Sequence, residues 1–163
     1  MEEQNTQRPV LATVVAIVGL IFGLIGLCAG PASLSIYFID IGPNPAVDVI
    51  RGNQILFFYT IAAGVMGIFL TLIEILGCVG LLMMKPWGRA AVMFYSVAAM
   101  LLLIVGISVN AIFLLPALLQ MGDPAAAGGA IGGVIGSCFG AVLPIGFLIA
   151  LTRSEVVEAY RGT

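Results

Sequence analysis

Residues 60–89 read TIAAGVMGIFLTLIEILGCVGLLMMKPWGR, and this stretch decides the fold. From Thr60 to Met84 the run is almost wholly apolar, with Glu74 as its one charge. A helix needs about 20 such residues to cross a bilayer core, so the run predicts a membrane span. It stops at Lys85-Pro86-Trp87-Gly88-Arg89. Pro86 disfavours helix at the residue before it. Lys85, Trp87 and Arg89 are residue types that anchor a helix end at the membrane–water interface.

The rest of the chain repeats the pattern. Of 163 residues, 61% are hydrophobic and 9% are charged, where a soluble domain carries about 25% charged residues. A chain of this size cannot hide so much apolar surface in one aqueous core. Lipid is the solvent that fits. Apolar helices are expected over about residues 9–39, 55–84, 88–120 and 125–152. The fold class is therefore all-α, an integral membrane four-helix bundle forming a single domain over residues 1–163. Residues 1–8 are acidic where a signal peptide is positive, so the first run is read as a retained helix.

Composition also excludes functions. The net charge is −2 with six scattered basic residues, which does not make a nucleic-acid surface. There is no His. Cys28, Cys78 and Cys138 stand singly in apolar runs, without metal-site or disulfide spacing. No cofactor or metal is expected. Catalysis needs a paired acid, an activated nucleophile or a metal cluster; the sequence offers none, so the protein is read as no enzyme.

Small residues mark the packing faces. Gly19, Gly23, Gly26 and Gly30 recur on one face of the first helix, and small faces let membrane helices approach closely. On the second helix, Ala63, Gly64, Gly67, Thr71, Glu74, Gly77 and Cys78 form a small, weakly polar stripe. Phe57, Ile61, Ile68, Phe69, Ile73 and Leu76 lie on the other face. The fourth helix carries Gly128, Gly132, Gly136 and Gly140, a glycine zipper with Gly129 and Gly133 beside it. This ladder either packs within the chain, with the first helix offering a glycine face, or forms a homo-oligomer seam.

Glu74 is the main chemical candidate. It lies roughly 16 Å from Lys85 along a helix, near mid-membrane, where an ionised carboxylate is expensive and an acid is a functional-site hypothesis. Apart from Arg89 at the start of the third run, no Lys, Arg or His lies in any span. A structural partner is also available: Pro144 cannot donate to the carbonyl of Gly140, and Ser137 lies nearby on the same helix. Glu74 is expected to donate to one of these. Asn110, roughly 32 Å from Arg89, sits at the other end of its span and reads as interhelical glue. The loop over residues 40–54 reads as a connector, and residues 153–163 as a short charged tail in which Ser154 caps a helical turn.

Arg8, Lys85, Arg89, Arg153 and Arg161 flank one side of the four spans; the other side holds only Arg51. The positive-inside rule then puts both termini and the 85–89 turn in the cytoplasm.

Residues 77–89 (GCVGLLMMKPWGR) resemble a helix end and K-P/x-W-A/G-R turn of small uncharacterised bacterial four-span membrane proteins. Residues 14–26 (VVAIVGLIFGLIG) look like their first helix. Residues 151–160 (LTRSEVVEAY) are similar to their charged ending, with Ser154 where Pro is common. The resemblance implies a multi-pass protein of the bacterial inner membrane and carries no activity with it. Two functions are open: an accessory, scaffold or interaction subunit, or a small proton- or cation-coupled transporter or channel using Glu74. The expected partners are the lipid bilayer and either another copy or another membrane protein.

Overall fold

A computed structural model describes residues 10–39, 42, 44–120 and 124–161. Pro9, Arg8, Asp40 and the 121–123 turn lie outside the described residues. Everything described is helix or short connection: α1 Val10–Ser35, α2 Pro45–Gly52, α3 Gln54–Leu82, α4 Pro86–Val109, α5 Leu115–Gln120, α6 Pro124–Gly140, α7 Val142–Thr152 and α8 Ser154–Arg161, with a π-helical turn at Asn110–Leu114. Four helical stretches are long and apolar enough to cross a membrane: Val10–Ser35, Gln54–Leu82, Pro86–Gln120 and Ile131–Thr152.

Helices α1 and α3 pack antiparallel through the glycine face of α1. Gly19 meets Cys78 and Phe147, Gly23 meets Ile75, Gly26 meets Thr71 and Gly30 meets Ile68. Numbers rise along α1 as they fall along α3, which defines the register. A Cβ at Gly23 would stand 2.8 Å from the Ile75 side chain, so only glycine fits at this separation. Ile68, expected on the lipid side, turns in far enough to cover Gly30, whereas Phe69 and Leu76 stay exposed.

The turn between α3 and α4 is tighter than a plain break. Met84 takes a left-handed φ of 56°. Lys85 N–H donates to Gly80 and Met84 N–H to Leu81, at 2.9 and 3.0 Å. These bonds form the paired closure that ends a helix at a left-handed residue. Pro86 starts α4, where its missing N–H costs nothing. The two helices then touch backbone to backbone, with a Cβ at Gly80 placed 2.7 Å from Gly88 Cα.

Two spans are interrupted, and proline explains both. Pro116 cannot donate to the preceding turn. Ahead of it the helix widens over Asn110–Leu114, with Leu115 N–H reaching Asn110 O. Pro144 likewise leaves the carbonyl of Gly140 without its helical donor. There α6 ends and α7 begins, and Ala141 N–H is shared between Ser137 O and Cys138 O at 3.2 Å each.

Three helix C-termini are closed by side chains from elsewhere. Arg51 donates to Ile36, Tyr37 and Ile39 carbonyls beyond α1, each at 3.1 Å. Tyr160 Oη donates to Leu81 O in the last turn of α3 at 2.8 Å. Arg89 Nε donates to Leu151 O in the last turn of α7 at 3.0 Å. The last carbonyls of a helix lack intrahelical donors and carry partial negative charge. The helix α8 is held by the second of these bonds and by buried Val156. It runs from Ser154 to Arg161, longer than the single capped turn expected. The core gathers at the same end, around Ala16, Cys78, Leu81, Val92, Leu151 and Val156.

Candidate functional site

Glu74 is buried, 3% exposed, in the seam between α1, α3 and α4. A Cβ at Gly23 would lie 3.6 Å from its Oε2, so the glycine leaves room for the carboxyl. Tyr95 of α4 is its polar neighbour, and Cys78 stands one turn further along α3. Oε1 is buried without a hydrogen-bond partner among the described residues. The small stripe on α3 thus brings the acid inward as expected, but its neighbour comes from α4.

The expected donation to the fourth helix is not made. Ser137 Oγ donates to Gly133 O within its own helix at 2.8 Å. The space at Gly140 faces Leu103. The physical reason is the partner that α1 chose. Its glycine face is filled by α3, and α4 supplies the third wall beside Glu74. The three polar candidates therefore stand apart: Glu74 in the α1–α3–α4 seam, Ser137 on α6, and Asn110 at the far end of the bundle.

Most of the fourth-helix ladder has no described neighbour at packing distance. A Cβ at Gly128, Gly132 or Gly136 meets nothing within 4 Å, nor does one at Gly129 or Gly133. At Gly140 the nearest atom is a Leu103 methyl at 3.9 Å. Gly19, Gly23 and Gly26 are committed to α3 instead.

Asn110 belongs to a site that the residues alone did not announce. At the end of the bundle away from the 85–89 turn, a cavity of about 350 Å³ is bounded by Tyr37, Tyr59, Thr60, Ala63, Asn110 and Leu114, among others. Helix α2 supplies Ala46 and Ile50 to its wall. The loop therefore does more than connect. Asn44 accepts from Val47 N–H and caps α2, Pro45 takes the first turn, and Val47 and Ile50 are buried. An Asn-Pro pair ahead of an apolar pattern is the signal that could have found this helix. Asn53 then accepts from Ile55 and Leu56 N–H and starts α3, so α2 is pinned at both ends.

The described polar groups of the cavity are uncharged. Asn110 Nδ2 donates to Gly106 O at 2.8 Å, which supports the backbone as it enters the π-turn. The Tyr37, Tyr59 and Thr60 hydroxyls make no hydrogen bond to another described residue. Burial raises the Tyr37 phenol above its usual range, so it stays a neutral donor at physiological pH. Of the lining residues, the small stripe on α3 includes Ala63, with Thr60 one turn before it. Tyr37 and Tyr59 were missed because only tertiary packing brings them beside it.

Of the interface anchors, Lys85 and Trp87 are exposed at the turn, whereas Arg89 is half-buried and bound to Leu151. Cys28 and Cys138 are exposed and Cys78 is buried, all as free thiols. Among the described residues no three His, Cys, Asp or Glu side chains converge. No family model, curated protein or solved structure matches the chain.

Proposed function

We propose that the chain is a non-enzymatic interaction or scaffold subunit of the bacterial inner membrane, with both termini and the 85–89 turn in the cytoplasm. The open glycine face of α6 carries this reading. Five glycines there face free space, each at a cost of about 1 kcal/mol relative to Ala in a helix. No described residue packs against these five positions to offset that cost. A small-residue face of this kind suits close approach by a second membrane helix, either from another copy or from another membrane protein. The resemblance of residues 77–89 to small bacterial four-span proteins supports the location.

The test is association in a bilayer, read by energy transfer between labelled copies and by crosslinking through the exposed Cys138. Replacing Gly132 and Gly136 with Leu should abolish association and leave the thermal stability of the single chain unchanged. Association that survives the pair counts against this face. Specific retention of another membrane protein, lost in the same variant, would identify the partner as heterologous.

A second reading, a proton- or cation-coupled transporter, is favoured by the unpartnered Oε1 of Glu74. The cavity does not reach it, since Ala63 and Glu74 are about 16 Å apart along α3. In reconstituted vesicles this reading requires proton or cation flux that Glu74→Gln removes. The scaffold reading gives no flux from either form.

A further inference from the structure

We infer that the cavity under α2 binds one uncharged lipid by carbonyl oxygens of its head group, received by the hydroxyls of Tyr37, Tyr59 and Thr60. This goes beyond the scaffold reading and does not rest on it. The volume, about 350 Å³, falls in the range of small-molecule pockets, about 300–1,000 Å³. It suits a head group with the first part of a chain.

Three hydroxyls without a described partner border the space. These hydroxyls are open to water in the cavity, and a ligand that displaces the water must bond to them or leave them unpaired at a cost. Each neutral hydroxyl carries one O–H donor, and an acceptor oxygen is the ligand atom that receives it. Ala46, Ile50, Leu56, Ala63 and Leu114 supply an apolar wall for the body of the ligand. Among the described residues no charged side chain lines the cavity. The nearby cation, Arg51, is already engaged by three carbonyls. A carboxylate, phosphate or ammonium group would enter without a counter-charge, and burying an unpaired charge is prohibitive.

Position points to a lipid. Tyr59 lies about 8 Å along α3 from Gln54, a depth near the boundary between head groups and acyl chains for a span of this length. The π-turn bears on the same cavity through Asn110 and Leu114. Such insertions are frequent at functional sites because they re-aim side chains at a modest backbone cost. Here the widened turn coincides with the cavity wall, and α2, pinned by its caps and by Arg51, closes the end.

The experiment is native mass spectrometry of the full-length protein released from detergent, titrated with three probes. Decyl-benzoquinone offers ketone oxygens, dioctanoylglycerol offers ester oxygens, and dodecylammonium is the charged control. The expected result is saturable binding of one molecule per chain for at least one carbonyl probe. The probe that binds identifies the source class. The double variant Tyr37→Phe, Tyr59→Phe keeps the shape of the cavity and should weaken binding at least tenfold with an unchanged melting temperature. Ala63→Phe, which fills the space, should abolish it. Absence of binding by both carbonyl probes overturns the proposal. So does equal binding of dodecylammonium, or full affinity in the double tyrosine variant.

Discussion

The Tyr160 hydroxyl reaches back to the carbonyl of Leu81, 79 positions earlier, with a 2.8 Å hydrogen bond. The bond ties α8 to the end of α3. With Val156, fully buried on the same helix, it turns a charged tail into part of the core. A tyrosine suits the task because its ring fills apolar space while its tip donates. Removal of the hydroxyl leaves the Leu81 carbonyl with backbone N–H donors only, from Met83 and Met84. Tyr160→Phe should therefore destabilise the bundle by about 1 kcal/mol, the net worth of one such bond, read as a lower denaturation midpoint. An unchanged midpoint would show that α8 is not part of the cooperative fold.

Glycines of identical type should respond oppositely to alanine. A Cβ at Gly19 would crowd Cys78 Sγ at 2.5 Å and the Phe147 ring at 3.2 Å. Gly19→Ala should cost about 1–3 kcal/mol through overpacking. Gly67 faces open space in the middle of α3, so Gly67→Ala should be neutral or stabilising by up to about 1 kcal/mol. Unfolding of both variants in mixed micelles compares them directly. Equal responses would refute the register of α1 on α3.

Arg51 should govern the order of α2. Its guanidinium joins α2 to the three carbonyls that follow α1. Arg51→Ala removes all three bonds, and Arg51→Lys cannot reproduce a planar fork with a single ammonium. Hydrogen exchange over Pro45–Gly52 should accelerate in both variants, more in the alanine form. Exchange in Gln54–Leu82 should change little beyond its first turn.

Orientation is open to labelling. In a chain with Cys28 and Cys138 replaced by Ala, a cysteine at Asp48 should react with a membrane-impermeant maleimide added outside intact spheroplasts. A cysteine at Glu158 should react only after permeabilisation. The reverse pattern would overturn the positive-inside assignment.

The Glu74 seam makes a distinct prediction about shape. Glu74→Gln preserves volume and hydrogen-bonding capacity, so the fold and its denaturation midpoint should persist. Glu74→Leu replaces the planar group facing Gly23 and Tyr95 with a branched one in a close-packed seam, and should lower the midpoint by about 1–3 kcal/mol equivalent. Insensitivity to Leu would show that the acid is loosely held.

The sequence by itself determined the number and approximate limits of the apolar helices, the break at residues 85–89, and the small faces of α1 and α3. Each is a local property: hydropathy over about 20 residues, the missing N–H of proline, and residue spacing on a helix. The partner of each face was decided only by the tertiary structure. Two glycine ladders in one chain look equivalent as strings, but α1 docks on α3 while the α6 ladder stays open. The choice rests on complementary side-chain shapes, with Ile68, Thr71, Ile75 and Cys78 filling the face of α1. The neighbour of Glu74, the caps of three helix ends and the cavity under α2 have the same origin. They join residues such as Arg51 and Tyr37, or Tyr160 and Leu81, whose contact depends on how whole helices cross, and no local pattern encodes that crossing.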